Sequence, residues 1–192
     1  MVLKLAILIS GNGSNMLNIV ESCLKKEIDA KVKIVISNNP NSDGLKKLKD
    51  FDICSKIIRL ENFNDKKSYE QEITNFLIKK KIDLVCLAGY MKILGSSFLR
   101  SWKRKVINIH PSLLPAFKGT NAQEQALKYK VKYSGCTVHY VSEEIDSGEI
   151  IDQSIVKINA NETVETLKKK ILIEEHKLYI NVLKNITERS VK

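Results

Sequence analysis

Four short, almost uninterrupted apolar runs constrain this chain more than any other feature. They occupy residues 3–10 (LKLAILIS), 32–37 (VKIVIS), 83–88 (DLVCLA) and 106–109 (VINI). A strand with one wet face alternates apolar and polar residues. A run without that alternation is buried on both faces, which is characteristic of a parallel sheet covered by helices. The intervening segments read as those helices. Met16, Val20, Cys23 and Leu24 share one helical face, and Tyr69, Ile73, Phe76 and Leu77 share another. Residues 44–50 read as a short lysine-rich helix, 56–60 as a short strand and 62–66 as a polar loop. The alternation predicts a doubly wound, mostly parallel α/β sheet, with right-handed crossovers placing helices on both faces.

The pattern changes past residue 110. Residues 117–122 read as a flexible connector and 123–130 as a helix. Residues 135–141 alternate with period two, and 150–157 follow after a loop at 142–148, which predicts an antiparallel edge near the C-terminus. A long helix over 163–186 closes the chain. There is no repeat, linker or low-complexity tract, so residues 1–192 are expected to form a single domain.

Composition narrows the function classes. At 43% hydrophobic the chain can bury an ordinary core, yet no run approaches the roughly 20 apolar residues of a membrane span. The first strand begins at once, with no small-residue cleavage site, so no signal peptide is read. The four cysteines (Cys23, Cys54, Cys86, Cys136) are scattered without a CxxC pair. Neither a zinc site nor a disulfide framework is expected, and a reducing cytoplasm fits. The net charge of +10 raises nucleic acid as a partner, but the lysines are spread over many segments and aromatics are few. A solvated lysine-rich surface, or a field that draws small anionic substrates, fits better.

The candidate chemistry lies at residues 106–115. The apolar run brings Asn108 and then His110 to the end of a buried strand, and Pro111 and Pro115 stiffen the turn that follows. Ligands bind at such C-terminal strand ends in open α/β sheets. Asp146 sits in a loop closed by Gly148 and could join them. No serine or cysteine occupies a nucleophile elbow, so no covalent acyl-enzyme is suggested. No second histidine has metal-ligand spacing, so no metal is expected. An Asn–His–Asp set suits direct acyl transfer to a substrate nucleophile. A fixed amide stabilises the oxyanion, the imidazole moves protons or, when charged, helps hold the oxyanion, and the carboxylate orients that ring and favours its charged form. His139 reads as a packed, hydrogen-bonded strand residue and His176 as structural.

Two further places stand out. Gly11, Asn12, Gly13, Ser14 and Asn15 join a strand to a helix, a layout that turns helix-start amides toward an anion. Met16 replaces the third glycine of a dinucleotide fingerprint. Ser37, Asn38 and Asn39 stand where an acidic ribose partner would be, and a Walker lysine is absent. A phosphate monoester is the remaining ligand; the competing reading is a tight turn that needs glycine. On the long helix, steps of ~100° per residue put Glu175 inside the apolar stripe of Val164, Leu167, Ile171, Leu178, Val182 and Ile186. An inward carboxylate is costly unless paired or used. A lysine from the sheet and an amine-bearing ligand are both open as its partner.

Together these motifs resemble the glycinamide ribonucleotide formyltransferases, folate-dependent enzymes of purine synthesis. The resemblance runs from the first strand to the last helix. It rests on ISGNGSN at 9–15, LAGYMKIL at 87–94, NIHPSLLP at 108–115, and GCTVH at 135–139 with DSG at 146–148. It implies attack of the amine of glycinamide ribonucleotide on the formyl carbon of 10-formyltetrahydrofolate, without metal or ATP. It implies Asn108, His110 and Asp146 as the catalytic trio, and Gly11 to Asn15 as the substrate-phosphate loop. Glu175 would meet the glycyl amine. Met91, Lys92, Ile93 and Leu94, with Asn108, Ser142, Glu143, Glu144, Ile145 and Asp146, would form the folate pocket, and Lys66 would contact folate. Lys66 and Lys92 depart from the arginines common in the family, which keeps charge but loses bidentate carboxylate recognition. Gln123 stands where many members have a histidine near the phosphate. Formyltetrahydrofolate hydrolases and methionyl-tRNA formyltransferases share the Asn-x-His and Asp features, but normally carry an extra N-terminal regulatory or C-terminal RNA-binding domain for which no room is read here. From another class, a non-catalytic nucleotide- or RNA-binding module would not need His110 and Asp146 at one edge. Oligomeric state is not legible.

Overall fold

The computed structural model describes residues 2–189. A seven-stranded sheet runs through it, built from β1 (Leu3–Ile9), β2 (Ala30–Ser37), β3 (Ser55–Ile57), β4 (Leu84–Leu87), β5 (Val106–His110), β6 (Tyr133–Tyr140) and β7 (Ile150–Lys157). The strand order is β3-β2-β1-β4-β5-β6-β7. The first five are parallel, and β6 and β7 are antiparallel additions. The helices are α1 (Ser14–Leu24), α2 (Asp43–Lys47), α3 (Lys66–Lys79), α4 (Ser96–Ser101), α5 (Ala122–Lys128) and α6 (Val164–Arg189). This is the doubly wound sheet with an antiparallel edge that the apolar pattern predicts.

Burial on both faces has a direct cause in β1. Leu5, Ile7 and Ile9 pack into a core with Met16, Ile19 and Val20 of α1 and with Leu167, Ile171, Leu178 and Leu183 of α6. Ala6 and Leu8 enter the opposite core, with Tyr69, Ile73 and Leu77 of α3, Phe98 of α4 and Trp102 just after it. Each fully buried Leu or Ile contributes about 1.5–3 kcal/mol relative to exposure, so an unbroken run has a partner on each side to stabilise it.

Three local expectations change. Helix α4 was not read from the sequence. The third strand stops at Ile57, because the chain turns into a 3-10 turn at Leu60–Asn62. Leu24 is exposed rather than core-facing, and Ile19, outside the expected face, is fully buried.

From β1 the chain moves outward to β2 and β3, then crosses back to place β4 on the other side of β1. That reversal opens a crevice above the C-terminal ends of the strands. A cleft of about 240 Å³ lies there, lined by residues 10–15 after β1 and by Ala88, Gly89 and Met91 after β4. Helix α6 is tied beneath it. The buried Tyr179 hydroxyl donates to the Leu87 carbonyl at 3.0 Å, with the Ile107 carbonyl at 3.3 Å. One hydroxyl thus joins α6 to the two strands whose ends carry the candidate site.

Tyr179→Phe removes that donor and little else. It should lower unfolding free energy by about 1–2 kcal/mol, read as a lower urea midpoint at unchanged m-value and unchanged far-ultraviolet circular dichroism.

Candidate active site

The register of β5 against β6 assembles the site. Asn108 pairs with His139 and His110 with Thr137. Side chains two apart on a strand share a face, and directly opposed residues share it across the ladder. Asn108, His110, Thr137 and His139 therefore stand together. Thr137 anchors the proline turn: its hydroxyl donates to the Ser112 carbonyl at 2.7 Å and accepts the Leu114 amide at 3.1 Å.

Hydrogen-bond partners fix the protons. His139 Nδ1 lies 2.9 Å from the Tyr140 carbonyl oxygen. A carbonyl can only accept, so Nδ1 carries the hydrogen. Burial pushes the pKa of this ring down, against the opposing effects of that carbonyl and of Asp146. The neutral ring then has a bare Nε2, which accepts from Asn108 Nδ2 at 3.2 Å. This orients the Asn108 amide and leaves its second N–H uncommitted. His110 Nε2 lies 2.9 Å from the Phe117 carbonyl and must likewise carry a hydrogen. Its Nδ1 faces Asp146 Oδ2 at 3.3 Å, a contact that is attractive only with a proton between the two atoms. Asp146 Oδ2 also accepts the Gly119 amide at 2.8 Å. Asp146 Oδ1 is 3.7 Å from His139 Nε2, but a neutral ring makes no ion pair there.

Asn108, His110 and Asp146 are thus brought together as the sequence reading expects. His139 is packed and hydrogen-bonded as expected, at 2% exposure, yet it also orients the Asn108 amide. That role was missed; the alternating 135–141 pattern opposite Asn-x-His was the signal that could have shown it. The 117–122 segment is no loose connector. It supplies the Phe117 carbonyl and the Gly119 amide, and Gln125 Nε2 donates to the Thr120 carbonyl at 3.0 Å. Phe117, Gly119 and Asn121 all take positive φ to make this turn. Gly148 closes the Asp146 loop, because a Cβ there would stand 1.7 Å from the Tyr140 carbonyl oxygen.

After β1, residues 11–15 line the cleft and lead into α1. The first helical amides, from Ser14 onward, have no intrahelical acceptor, and no acidic residue lies in that turn. Gly13 has φ +74° and lies so near Gly44 that a Cβ would be 2.6 Å from its Cα. The turn requires glycine and also presents donors, so the two readings of this loop are compatible. Lys47 Nζ donates to Asn12 Oδ1 at 2.7 Å and to its carbonyl at 3.2 Å. This places at the loop a cation that the sequence reading missed.

Glu175 is 9% exposed. Its partner is Asn15 Nδ2, 2.7 Å from Oε2, not a lysine of the sheet. Burial pushes the carboxyl up to about 7, with the Asn15 hydrogen bond a smaller opposing effect. Asn15 Oδ1 is buried without a partner. Two acceptors therefore adjoin, suited to an amine. Gln123 is buried at the start of α5.

The predicted folate side is more open. Met91 and Ile93 project into solvent, Leu94 is buried and Ile145 is exposed. The Met91 amide donates to Ser10 Oγ at 2.8 Å. Lys92 lies near enough to Glu61 to help hold that carboxyl low. Ser142 Oγ donates to the Glu144 carbonyl at 3.0 Å, Glu144 lies 3.5 Å from Lys118, and Glu143 lies 3.8 Å from Arg100. Lys66 opens α3, 3.7 Å from Glu70. Among the described residues no bond joins Lys66 to the 142–146 loop. A larger hollow of about 490 Å³ opens at the opposite ends of the strands, lined by Lys4, Lys31, Lys33, Lys79, Lys80 and Lys81 among others; it carries no acid–base set. Among the described residues no group of three or more His, Cys, Asp or Glu side chains is placed to hold a metal, and no helix is long and apolar enough to cross a membrane.

Glu175 gives a signed pH effect. Its folded pKa lies above its ordinary 4.5. The folded chain therefore holds this proton more tightly, and the group's contribution is most favourable below pH 4.5. It is lost as pH rises toward 7 and is level above that, with a total cost of at most about 3 kcal/mol. Glu175→Gln should gain stability relative to the parent between pH 4.5 and 7 and then plateau, as measured by urea unfolding across that range. A pH-independent offset would contradict it.

Residues 3–183 match the model of the formyl transferase family. The chain is 38% identical over 183 residues to the phosphoribosylglycinamide formyltransferase of Bacillus subtilis (strain 168), covering 95% of this chain and 94% of that one. It is 40% identical over 189 residues to the trifunctional purine biosynthetic protein adenosine-3 of Homo sapiens. That match takes in 98% of this chain and 19% of the relative, and the chain spans between 13% and 19% of the length of the trifunctional relatives. Among solved structures, glycinamide ribonucleotide transformylase 1 from Symbiobacterium toebii matches with a TM-score of 0.95 at 36% identity, over 97% of this chain and 88% of that chain. The chain belongs to the formyl transferase family.

Proposed function

We propose that this protein transfers the formyl group of 10-formyltetrahydrofolate to the amine of glycinamide ribonucleotide, giving formylglycinamide ribonucleotide and tetrahydrofolate. The observation that carries this reading is the gathering of Asn108, His139, His110 and Asp146 at the end of β5, in the same sheet whose β1 leads into helix-start amides lining a cleft. The 38% identity to a phosphoribosylglycinamide formyltransferase along almost its whole length supports the choice of substrate.

The chemistry follows from the proton positions. The substrate phosphate sits at residues 11–15, against the α1 amides and Lys47. The amine meets Glu175 and Asn15 Oδ1. Its lone pair attacks the formyl carbon, and the carbonyl electrons move onto oxygen. The free N–H of Asn108 donates to that oxyanion, and His110, fixed by the Phe117 carbonyl, turns its Nδ1 to Asp146 and orients that carboxylate beside it. The amine proton leaves toward the Asp146 carboxylate through water. The oxyanion electrons then re-form the carbonyl, the bond from carbon to N10 of the folate breaks with its electron pair on N10, and N10 takes up through water the proton that Asp146 received. Met91, Ile93, Leu94 and Ile145 provide apolar contact for the donor's ring, with Lys66 and Lys92 toward its carboxylates. Metal and ATP have no part in this sequence of steps. The partners are these small molecules, with no nucleic acid, and residues 1–192 act as one formyltransferase domain. Four unpaired cysteines support a cytoplasmic location.

A spectroscopic assay should detect tetrahydrofolate when donor and glycinamide ribonucleotide are both present, and none with donor alone. Release without the amine would make the protein a hydrolase. His110→Ala and Asp146→Ala should each lower kcat by about a hundredfold or more in folded protein; near-native rates would remove these residues from the mechanism.

A further inference from the structure

We propose that Glu70 is a positioning residue for the folate donor, holding residues 91–95 and the Lys66 ammonium in one arrangement. This rests on the formyl-transfer reading above. Glu70 is in α3, four residues after Lys66 and hence on the same helical face. It is 4% exposed, and a buried carboxylate needs partners. Oε1 accepts the Gly95 amide at 2.7 Å, and Lys66 Nζ stands 3.7 Å from the same oxygen. Gly95 is shaped to admit this group: a Cβ there would lie 2.8 Å from Oε2 and 3.3 Å from Oε1.

The segment that Glu70 anchors is held at its other end too. The Ser10 amide donates to the Gly89 carbonyl at 3.0 Å, and the Met91 amide donates to Ser10 Oγ. Behind the segment, the Tyr69 and Tyr90 hydroxyls share a hydrogen bond between α3 and the loop, and Leu94 is buried in the same core. Between these fixed points Met91 and Ile93 are 71% and 57% exposed. Two rigidly held apolar side chains presented to water suit an apolar ligand face. Lys66 keeps half its surface in water and meets Glu70 only loosely, so its charge is oriented but not consumed. Glu70 therefore connects the surface that would meet the donor's ring to the cation that would meet its carboxylate tail.

The test is steady-state kinetics of Glu70→Ala, Glu70→Gln, Gly95→Ala and Lys66→Met, with KM read for each substrate separately. Glu70→Ala should raise the donor KM by about tenfold or more, as loss of a charge-assisted hydrogen bond would, with kcat and the KM for glycinamide ribonucleotide unchanged. Glu70→Gln still offers an acceptor to the Gly95 amide and should recover most of the donor KM. Gly95→Ala, whose methyl intrudes on the carboxylate, should reproduce the Glu70→Ala effect and keeps the question answerable if Glu70→Ala fails to fold. Lys66→Met should abolish any preference for donors with longer glutamate tails. Equal rises in both KM values, a fall in kcat alone, or unaltered kinetics in Glu70→Ala would overturn the proposal. Failure of the parent protein to transfer formyl at all would instead overturn the functional reading.

Discussion

The antiparallel pairing of β5 with β6 is the constraint on which the rest of this site depends. A strand's side chains alternate between faces, so a slip of one residue would send Asn108 and His110 to the opposite side of the sheet. The observed register does more than keep them on one face. It sets His139 opposite Asn108 and Thr137 opposite His110. One of these partners fixes an amide and the other fixes the turn that follows the strand. Those contacts are buried between elements distant in sequence, where an unsatisfied polar atom would be costly. Each hydrogen bond therefore helps specify the register as well as the chemistry.

The parallel half of the sheet contributes something different. Its reversal at β1 leaves the ends of β1 and β4 lining one crevice, with β5 next to β4 in the sheet. Helix α6 passes beneath, held to β4 and β5 by Tyr179. The same helix carries Glu175, whose burial raises its pKa to about 7. The site thus holds a carboxylate that is uncomfortable alone and matched to an incoming amine. Stability is given up at this position, and binding can recover it. Lys47 and the free amides at the start of α1 offer the complementary charge along the loop that leads to Asn15.

Much of this was legible in the sequence, for identifiable physical reasons. Strands buried on both faces leave continuous apolar runs, so β1, β2, β4 and β5 could be read directly. Asn108 and His110 could be read as neighbours because the i, i+2 spacing puts them on one face. Helical arithmetic alone put Glu175 inside. Features created by tertiary pairing were not legible. The role of His139 depends on which residue of β6 lies opposite Asn108. The partner of Glu175 comes from α1, and the cation beside Asn12 comes from α2. Helix α4 has six residues and too few turns to show a period. The 117–122 turn looked loose because it contains glycine and small polar residues, whereas a left-handed Phe117, rare for a bulky residue, lets it reach both His110 and Asp146.

The proton arrangement is the most exposed part of this account, and one spectrum tests it. In protein labelled with 15N at its three histidines, the ring nitrogens report which atom carries hydrogen. His139 should show a protonated Nδ1 and a bare Nε2 at neutral pH, leaving Nε2 to accept from Asn108, while His110 shows a protonated Nε2. A His139 ring protonated at Nε2, or at both nitrogens, would leave the Asn108 amide without its orienting partner and would contradict the account.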